Sequence, residues 1–329
     1  MRTSIARLWR ESGSRAVSAF RLTAGDARRE ASCRVIDEDA LTIDVEGVGR
    51  YTLMWTPAGG DEGDDGAAGF VAGEGVLGDE VVSERVPERL ALAAGFAYSE
   101  GIIGSVGDIA TMAVCPDRRD VVRMRLVAPE RAAVKRSDVV IASSCGLCGG
   151  RDAIEEGFDD FAPVAARLRL AASELAALMA AMQRRQRLFR TTGGAHAAAV
   201  FSPRAGILAA AEDLGRHNAL DKVIGECLLR EVPLAGCGVV LSSRLSYEMV
   251  AKAARAGFEL VAAVSAPTSL AIALAEHVGI TLCGFVRGAA ATVYTHPHRI
   301  HPDGIRDCAS GREPARAAGA AVVPFTLDD

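Results

Sequence analysis

Hydrophobic and polar positions change rhythm along this chain, and the rhythm divides it. From Cys33 to Trp55 apolar and polar residues alternate and β-branched residues recur ("SCRVIDEDALTIDVEGVGRYTLMW"), which predicts two or three antiparallel strands. "VPERLALAAGFAYSEGII" opens with Pro87 near a first helical turn and carries apolar residues at helical spacing. "DIATMAV" and "DVVRMRLV" return to strand character. Pro129 to Asp138 is a polar connection to "VVIASSCGLCGG". After that the period alternates. "SELAALMAAMQRRQRLF" is a helix with Ser173 as its N-cap, and "AHAAAVFS" with "AGILAAAED" forms a hairpin across 202–206. "RHNALDKVIGECLLR", "SYEMVAKAARAG" and "TSLAIALAEHVG" are helices between the strands "CGVVLSS", "FELVAAVS", "ITLCGFV" and "AATVYTH". Strands alternating with helices predict an α/β fold with a parallel or mixed sheet covered on both faces.

Three stretches fall outside this pattern. The first 22 residues are rich in Arg and Ser and lack the continuous apolar stretch of a secretory signal; they suggest a frayed or weakly helical extension. Residues Ala58 to Glu80 are acidic and Gly-rich, as expected of a mobile surface insertion. The Ala- and Arg-rich tail from Asp303 suggests a loose end. The expected organisation is an extension over 1–30, a β-rich domain over 31–140 interrupted at 58–80, an α/β domain over 141–302, and a tail over 303–329.

Composition narrows the function. The 329 residues carry 37 Lys and Arg against 42 Asp and Glu, a net charge of −5, so no global field draws the chain to nucleic acid or an anionic membrane. No apolar run approaches the roughly 18 residues of a membrane span. Six of the eight cysteines are scattered singly and suit small core residues, which argues against a disulfide scaffold and for a reducing cytoplasm.

The remaining two cysteines, Cys145 and Cys148, stand in "SSCGLCGG". Half a zinc site, a dithiol redox pair and a sulfur-carrying nucleophile all use this spacing, and the spacing alone does not choose among them. The hairpin followed by helix–strand alternation resembles the zinc deaminases, whose signature is H-x-E followed by P-C-x-x-C. Here Ala198 stands at the Glu position, the CxxC precedes the His, and Ser144 replaces the proline. Deaminase chemistry and stoichiometric zinc are therefore not expected.

Polar clusters follow the strands: Asp213, Arg216 and His217 at one helix start, Ser243, Arg244 and Ser246 at a second, Thr268 and Ser269 at a third. Any one of these serves as an ordinary cap, but two arginines beside helix starts favour an anionic ligand in the crevice beyond the strand ends. "GFVRGAAATVYTHPHRI" supplies a bare segment with one cation, equally suited to a phosphate or flat base and to a plain hairpin turn. His296 and His298 flank Pro297 as in a turn rather than a metal pair.

"SSCGLCGG", "TGGAHAAAV", "AEDLGRHNALDKVIG", "LSSRLSYEMVAKAA", "VSAPTSLAIALAE" and "GFVRGAAATVYTHPHRI", with "AAGFAYSEGII" upstream, resemble in order and spacing the FdhD family, the accessory sulfurtransferases of formate dehydrogenase. The resemblance covers about Val35 to Ile300. It implies a cytidine deaminase-like mixed sheet with helices on both faces, a smaller N-terminal β-rich part, and a homodimer. It also implies a sulfurtransferase that takes sulfur from a cysteine desulfurase as a persulfide on Cys145, with Cys148 assisting. The acceptor would be the molybdenum (or tungsten) bis-molybdopterin guanine dinucleotide cofactor destined for formate dehydrogenase, held by Phe285, Val286, Arg287, Gly288, Ala289 and Ala290. The acidic 58–80 stretch departs from the family pattern, and Ala290 stands where relatives can carry a basic residue. Two rival readings are a cofactor-sheltering chaperone that needs no Cys145, and a CxxC thiol oxidoreductase.

Overall fold

The computed structural model describes residues 13–24, 28–57, 69–71, 75–77, 86–132, 139–141, 158–288 and 290–303. It opens with a two-stranded ribbon, β1 (Ser14–Arg21) antiparallel to β2 (Arg29–Ile36). Part of the expected N-terminal extension is thus a strand. Exposed and half-buried positions alternate along "SRAVSAFR", the period of a strand rather than a helix. The ribbon's base is tied by the Arg15–Asp37 ion pair and by Arg34 donating to the Ser14 carbonyl at 3.0 Å.

Next come β3 (Asp39–Val45) and β4 (Gly49–Trp55), an antiparallel pair. Alternation puts Leu41, Ile43, Val45, Tyr51, Leu53 and Trp55 on one buried face. Two short strands, β5 (Gly69–Val71) and β6 (Gly75–Leu77), lie inside the stretch expected to be an insertion. β5 pairs with β7 (Ile109–Cys115), opposing Phe70 to Met112, both buried. The expected insertion therefore contributes to the sheet, and its Gly-rich composition hid the contribution. With β8 (Arg118–Leu126) and β9 (Val139–Ile141) these strands form a seven-stranded sheet ordered β6-β5-β7-β8-β3-β4-β9.

Helix α1 (Glu88–Ser99) covers that sheet and is buried on nearly every side, as a helix apolar all round must be. Its other face crosses α4 (Arg216–Leu229) through a reciprocal glycine contact. A Cβ on Gly95 would stand 1.8 Å from the Asp221 carbonyl oxygen, and one on Gly225 would stand 1.8 Å from that of Ala91.

Before α4 come β10 (Leu170–Ala171), α2 (Ala172–Arg185), α3 (Arg187–Thr192), β11 (His196–Ser202) and β12 (Gly206–Asp213). Helix α2 starts two residues earlier than a Ser173 N-cap would place it, because the Glu174 carboxylate accepts the Ala171 N–H at 2.7 Å. After α4 follow β13 (Gly238–Leu241), α5 (Tyr247–Arg255), β14 (Leu260–Ala263), α6 (Ser269–Val278), β15 (Thr281–Arg287), β16 (Ala290–Val293) and β17 (Ile300–His301). The second sheet is ordered β12-β11-β13-β14-β15-β16, with β13, β14 and β15 parallel and the other neighbours antiparallel. Helices α4, α5 and α6 pack on one face, and α2 packs on the other through Leu175, Met179 and Met182. This is the mixed sheet with helices on both faces that the alternation predicts. Among the described residues no helix is long and apolar enough to cross a membrane.

Candidate functional site

The topology brings the polar clusters to one edge of the second sheet. His196 opens β11 directly opposite Asp213, which closes β12. β11 runs against β13, so His196 also lies at the carboxyl end of β13, where Ser242 donates its N–H to the Ala197 carbonyl at 2.9 Å. From that end the chain turns through Ser243, Arg244 and Ser246 into α5. The next strand end carries Ser265, whose carbonyl accepts the Phe285 N–H at 3.2 Å. The ends of β13, β14 and β15 and the starts of α4 and α5 thus lie along one edge of the sheet, the place where a ligand crevice usually forms in such folds.

The crevice is cationic. Burial holds the His196 imidazole below the ordinary histidine range, and the nearby Arg216, His217 and Arg244 charges push it further down. Asp213 opposes them. His217 Nε2 stands 2.9 Å from Glu248 Oε2, at ion-pair distance but off hydrogen-bond alignment; this contact, followed by Arg216, keeps the Glu248 carboxyl below its ordinary range. Arg216 Nε at the start of α4 and Ser246 Oγ at the start of α5 are buried with no hydrogen-bond partner among the described residues. Buried donors left unpaired cost free energy unless a ligand fills them. Ser246 makes no side-chain capping bond, so it is not spent as a cap, whereas Thr268 is: its hydroxyl accepts the Ala271 N–H at 3.3 Å.

Asp213, expected among the ligand residues, has a structural role instead. It is fully buried, and its carboxylate accepts from the Thr56 N–H at 3.0 Å, the Gly215 N–H at 2.8 Å and Asn218 Nδ2 at 2.9 Å. Lys222 Nζ pairs with it at 3.0 Å and also donates to the Thr56 carbonyl at 2.7 Å, beside the Trp55 ring. Burial works against the Lys222 charge, but Asp213 and Glu88 outweigh it and hold the ammonium above its ordinary range. This buried cluster fixes the floor of the crevice to β4.

Of the residues expected to hold a nucleotide, the structure describes Phe285, Val286, Arg287, Gly288 and Ala290; Ala289, Cys145 and Cys148 lie outside the described residues. The β15–β16 register shifts between Gly284 and Arg287, and Phe285 takes a left-handed backbone at φ 52°. An aromatic residue rarely accepts that conformation, and bulges commonly re-aim a side chain near a site. Here the Phe285 ring is 44% exposed. Arg287 and Gly288 are exposed, and a Cβ on Gly288 would meet nothing within 4 Å. Val286 points into the core and can serve a ligand only through its main chain. His296 precedes, and His298 lies within, a short turn, Pro297–Arg299, and His296 Nε2 meets the Glu276 carbonyl at 3.0 Å. The cluster "TTGGAH" in the sequence already points to His196, but residue counting could not reveal Glu248 beside His217, because that contact follows from the packing of α5 on α4.

The FdhD/NarQ family model matches residues 81–301. The chain belongs to the FdhD/NarQ family. Its relatives include the sulfur carrier protein FdhD of Anaeromyxobacter dehalogenans strain 2CP-C, 35% identical over 91% of this chain and 98% of the relative. The protein of the same name from Bordetella bronchiseptica is 42% identical over 82% of this chain and 88% of its own. A solved structure from Desulfotalea psychrophila, described as a candidate formate dehydrogenase accessory protein, superposes with a TM-score of 0.64 at 22% identity, over 88% of this chain and 99% of that one. This FdhD/NarQ chain thus shares its fold with that structure over 88% of its length.

Proposed function

We propose that this protein is a cytoplasmic sulfur carrier serving formate dehydrogenase. It takes sulfur from a cysteine desulfurase as a persulfide on Cys145 and passes it to the molybdenum bis-molybdopterin guanine dinucleotide cofactor as substrate. The observation that carries the substrate class is the set of groups at the carboxyl edge of the parallel strands: Arg216 Nε and Ser246 Oγ, buried at two helix starts without a hydrogen-bond partner among the described residues, and, further along the same edge, the exposed Phe285 on β15. The donors suit the pyrophosphate, and the ring suits the face of a guanine, whose stacking is worth about 1–3 kcal/mol. Arg287 adds a cation at the same strand end. The names of the relatives support the sulfur-carrying role.

The described ends of the CxxC segment support delivery into this crevice. β9 runs parallel to β4 and ends at Ile141 opposite Leu53, three residues before Thr56 meets Asp213. On the far side, Phe158 stacks on Tyr247 at the start of α5, with centroids 5.9 Å apart. Chemically, the Cys145 thiolate attacks the terminal sulfur of the desulfurase persulfide, and the desulfurase cysteine leaves as thiolate. Attack by Cys148 on the inner sulfur then closes a disulfide and frees the terminal sulfur as hydrosulfide for the metal. A cellular dithiol reopens the disulfide. A homodimer is the expected working form.

The deciding experiment is intact mass after incubation with a cysteine desulfurase and cysteine. The expected result is one added sulfur, removed by reductant and absent in Cys145→Ala, which also fails to activate formate dehydrogenase. Full activation by Cys145→Ala would favour the sheltering chaperone instead.

A further inference from the structure

We propose a second ligand site, remote from the crevice, that takes a small molecule with a phosphate or carboxylate on an apolar body. It is a cavity of about 400 Å³ where the end of α1, the exit of β8 and the end of α5 meet, a size within the usual range of small-molecule sites. Ile102, Ile103 and Leu126 form apolar walls, and Tyr98, Arg131 and Arg255 bring polar groups to the same space.

Arg255 is packed against two neighbours. Its guanidinium lies over the Phe161 ring at 5.3 Å. On the other side it lies against Gly101, where a Cβ would stand 2.6 Å from Arg255 Nη1; Gly101 also needs its φ of +77°. A braced cation loses little freedom on binding. Among the described residues neither Arg255 nor Arg131 has a carboxylate at ion-pair distance, and the Tyr98 hydroxyl makes no hydrogen bond. The single acid on the wall, Asp108, is occupied by its own turn: its carboxylate accepts the Gly104 N–H at 2.8 Å and the Ser105 N–H at 2.9 Å. Burial holds the Tyr98 phenol above its ordinary range, so it remains a donor. Two unpaired guanidiniums and a phenol facing apolar walls suit an anion with an apolar body. The neighbouring acid Glu100 is committed to Lys252 at 2.8 Å. Helix α5 runs between the two sites, so the cavity opens at the end of that helix opposite the crevice.

The test is calorimetry on the full chain with phenyl phosphate and with benzoate, and with benzyl alcohol as the uncharged control. Saturable binding of at least one anion, none of the alcohol, and a loss of about tenfold or more in Arg255→Gln are expected. The phosphate and carboxylate arms tell the two headgroups apart. If Arg255→Gln melts early, Tyr98→Phe and the exposed Arg131→Gln carry the test, each expected to weaken binding severalfold. Binding should persist in Arg287→Ala and in the presence of GDP. Displacement by GDP, equal affinity in all variants, equal binding of benzyl alcohol, or no saturation by either anion would each overturn the proposal.

Discussion

Phe285 and Arg287 sit two residues apart on β15 and would offer the proposed nucleotide different things. The arginine is exposed, so its charge is partly screened and its loss belongs at the low end for a charged hydrogen bond. Arg287→Ala should weaken GDP binding by about 1.5 kcal/mol in calorimetry and leave the persulfide mass gain on Cys145 unchanged. Equal GDP affinity in both proteins would remove Arg287 from the site. His196 gives a second readout at this scale. Its folded form favours the neutral ring, so whatever stability it contributes is full above the ordinary 6.5 and declines as pH falls through it. An anion in the crevice offsets the surrounding cations and must raise that titration. Nuclear magnetic resonance of the imidazole should therefore find His196 titrating below 6.5 and moving upward when GDP is added; an unmoved midpoint would place the nucleotide elsewhere.

Elements that bury a whole face were legible in the sequence. The alternation in β3 and β4 and the 3.6 period of α5 and α6 placed those elements, because one buried face writes its period into the residues. Short strands completed by distant partners were not legible. β5 and β6 have three residues each inside a Gly-rich run, and β1 is recognisable only through its pairing with β2. The crevice was half legible: the polar clusters at strand ends pointed to it, but the register that seats His196 against β13 and the bulge that turns Phe285 outward are tertiary facts. Two predictions follow from the elements themselves. Deleting 58–80 removes β5 with its Phe70 and uncovers Met112, and should lower stability by at least the roughly 1.5–3 kcal/mol of one buried apolar side chain. Chemical denaturation measures this, and an unchanged midpoint would restore the reading of this stretch as a dispensable insertion. Gly95→Ala or Gly225→Ala sets a methyl against a backbone carbonyl that no rotamer change can relieve, so each should cost at least about 3 kcal/mol.

At the scale of the molecule, buried charge joins the two sheets. Lys252 of α5 donates to Ser99 Oγ at 2.7 Å, Glu100 Oε1 at 2.8 Å and Asp221 Oδ2 at 3.0 Å, tying α5 to the end of α1 and to α4. Burial opposes its charge, but Asp221 and Glu100 outweigh it and hold the lysine above its ordinary 10.5. A raised lysine stabilises fully below 10.5 and ceases to do so as pH rises through its folded value, so the Lys252 contribution to the urea midpoint should be lost on the alkaline side. Lys252→Met strands Asp221 and should cost about 3–5 kcal/mol; adding Asp221→Leu should recover much of it, as measured by the same denaturation curves. These contacts also set an order of events during synthesis. The Thr56 N–H waits for an acceptor 157 residues further on, and Ser99 waits for a lysine 153 residues away. At about 5–20 residues per second, roughly 8–30 s separate the emergence of such partners from the ribosome. For that interval α1 lacks the α4 face it packs against in the finished fold, so the nascent first half of this protein carries exposed apolar surface until the second half emerges.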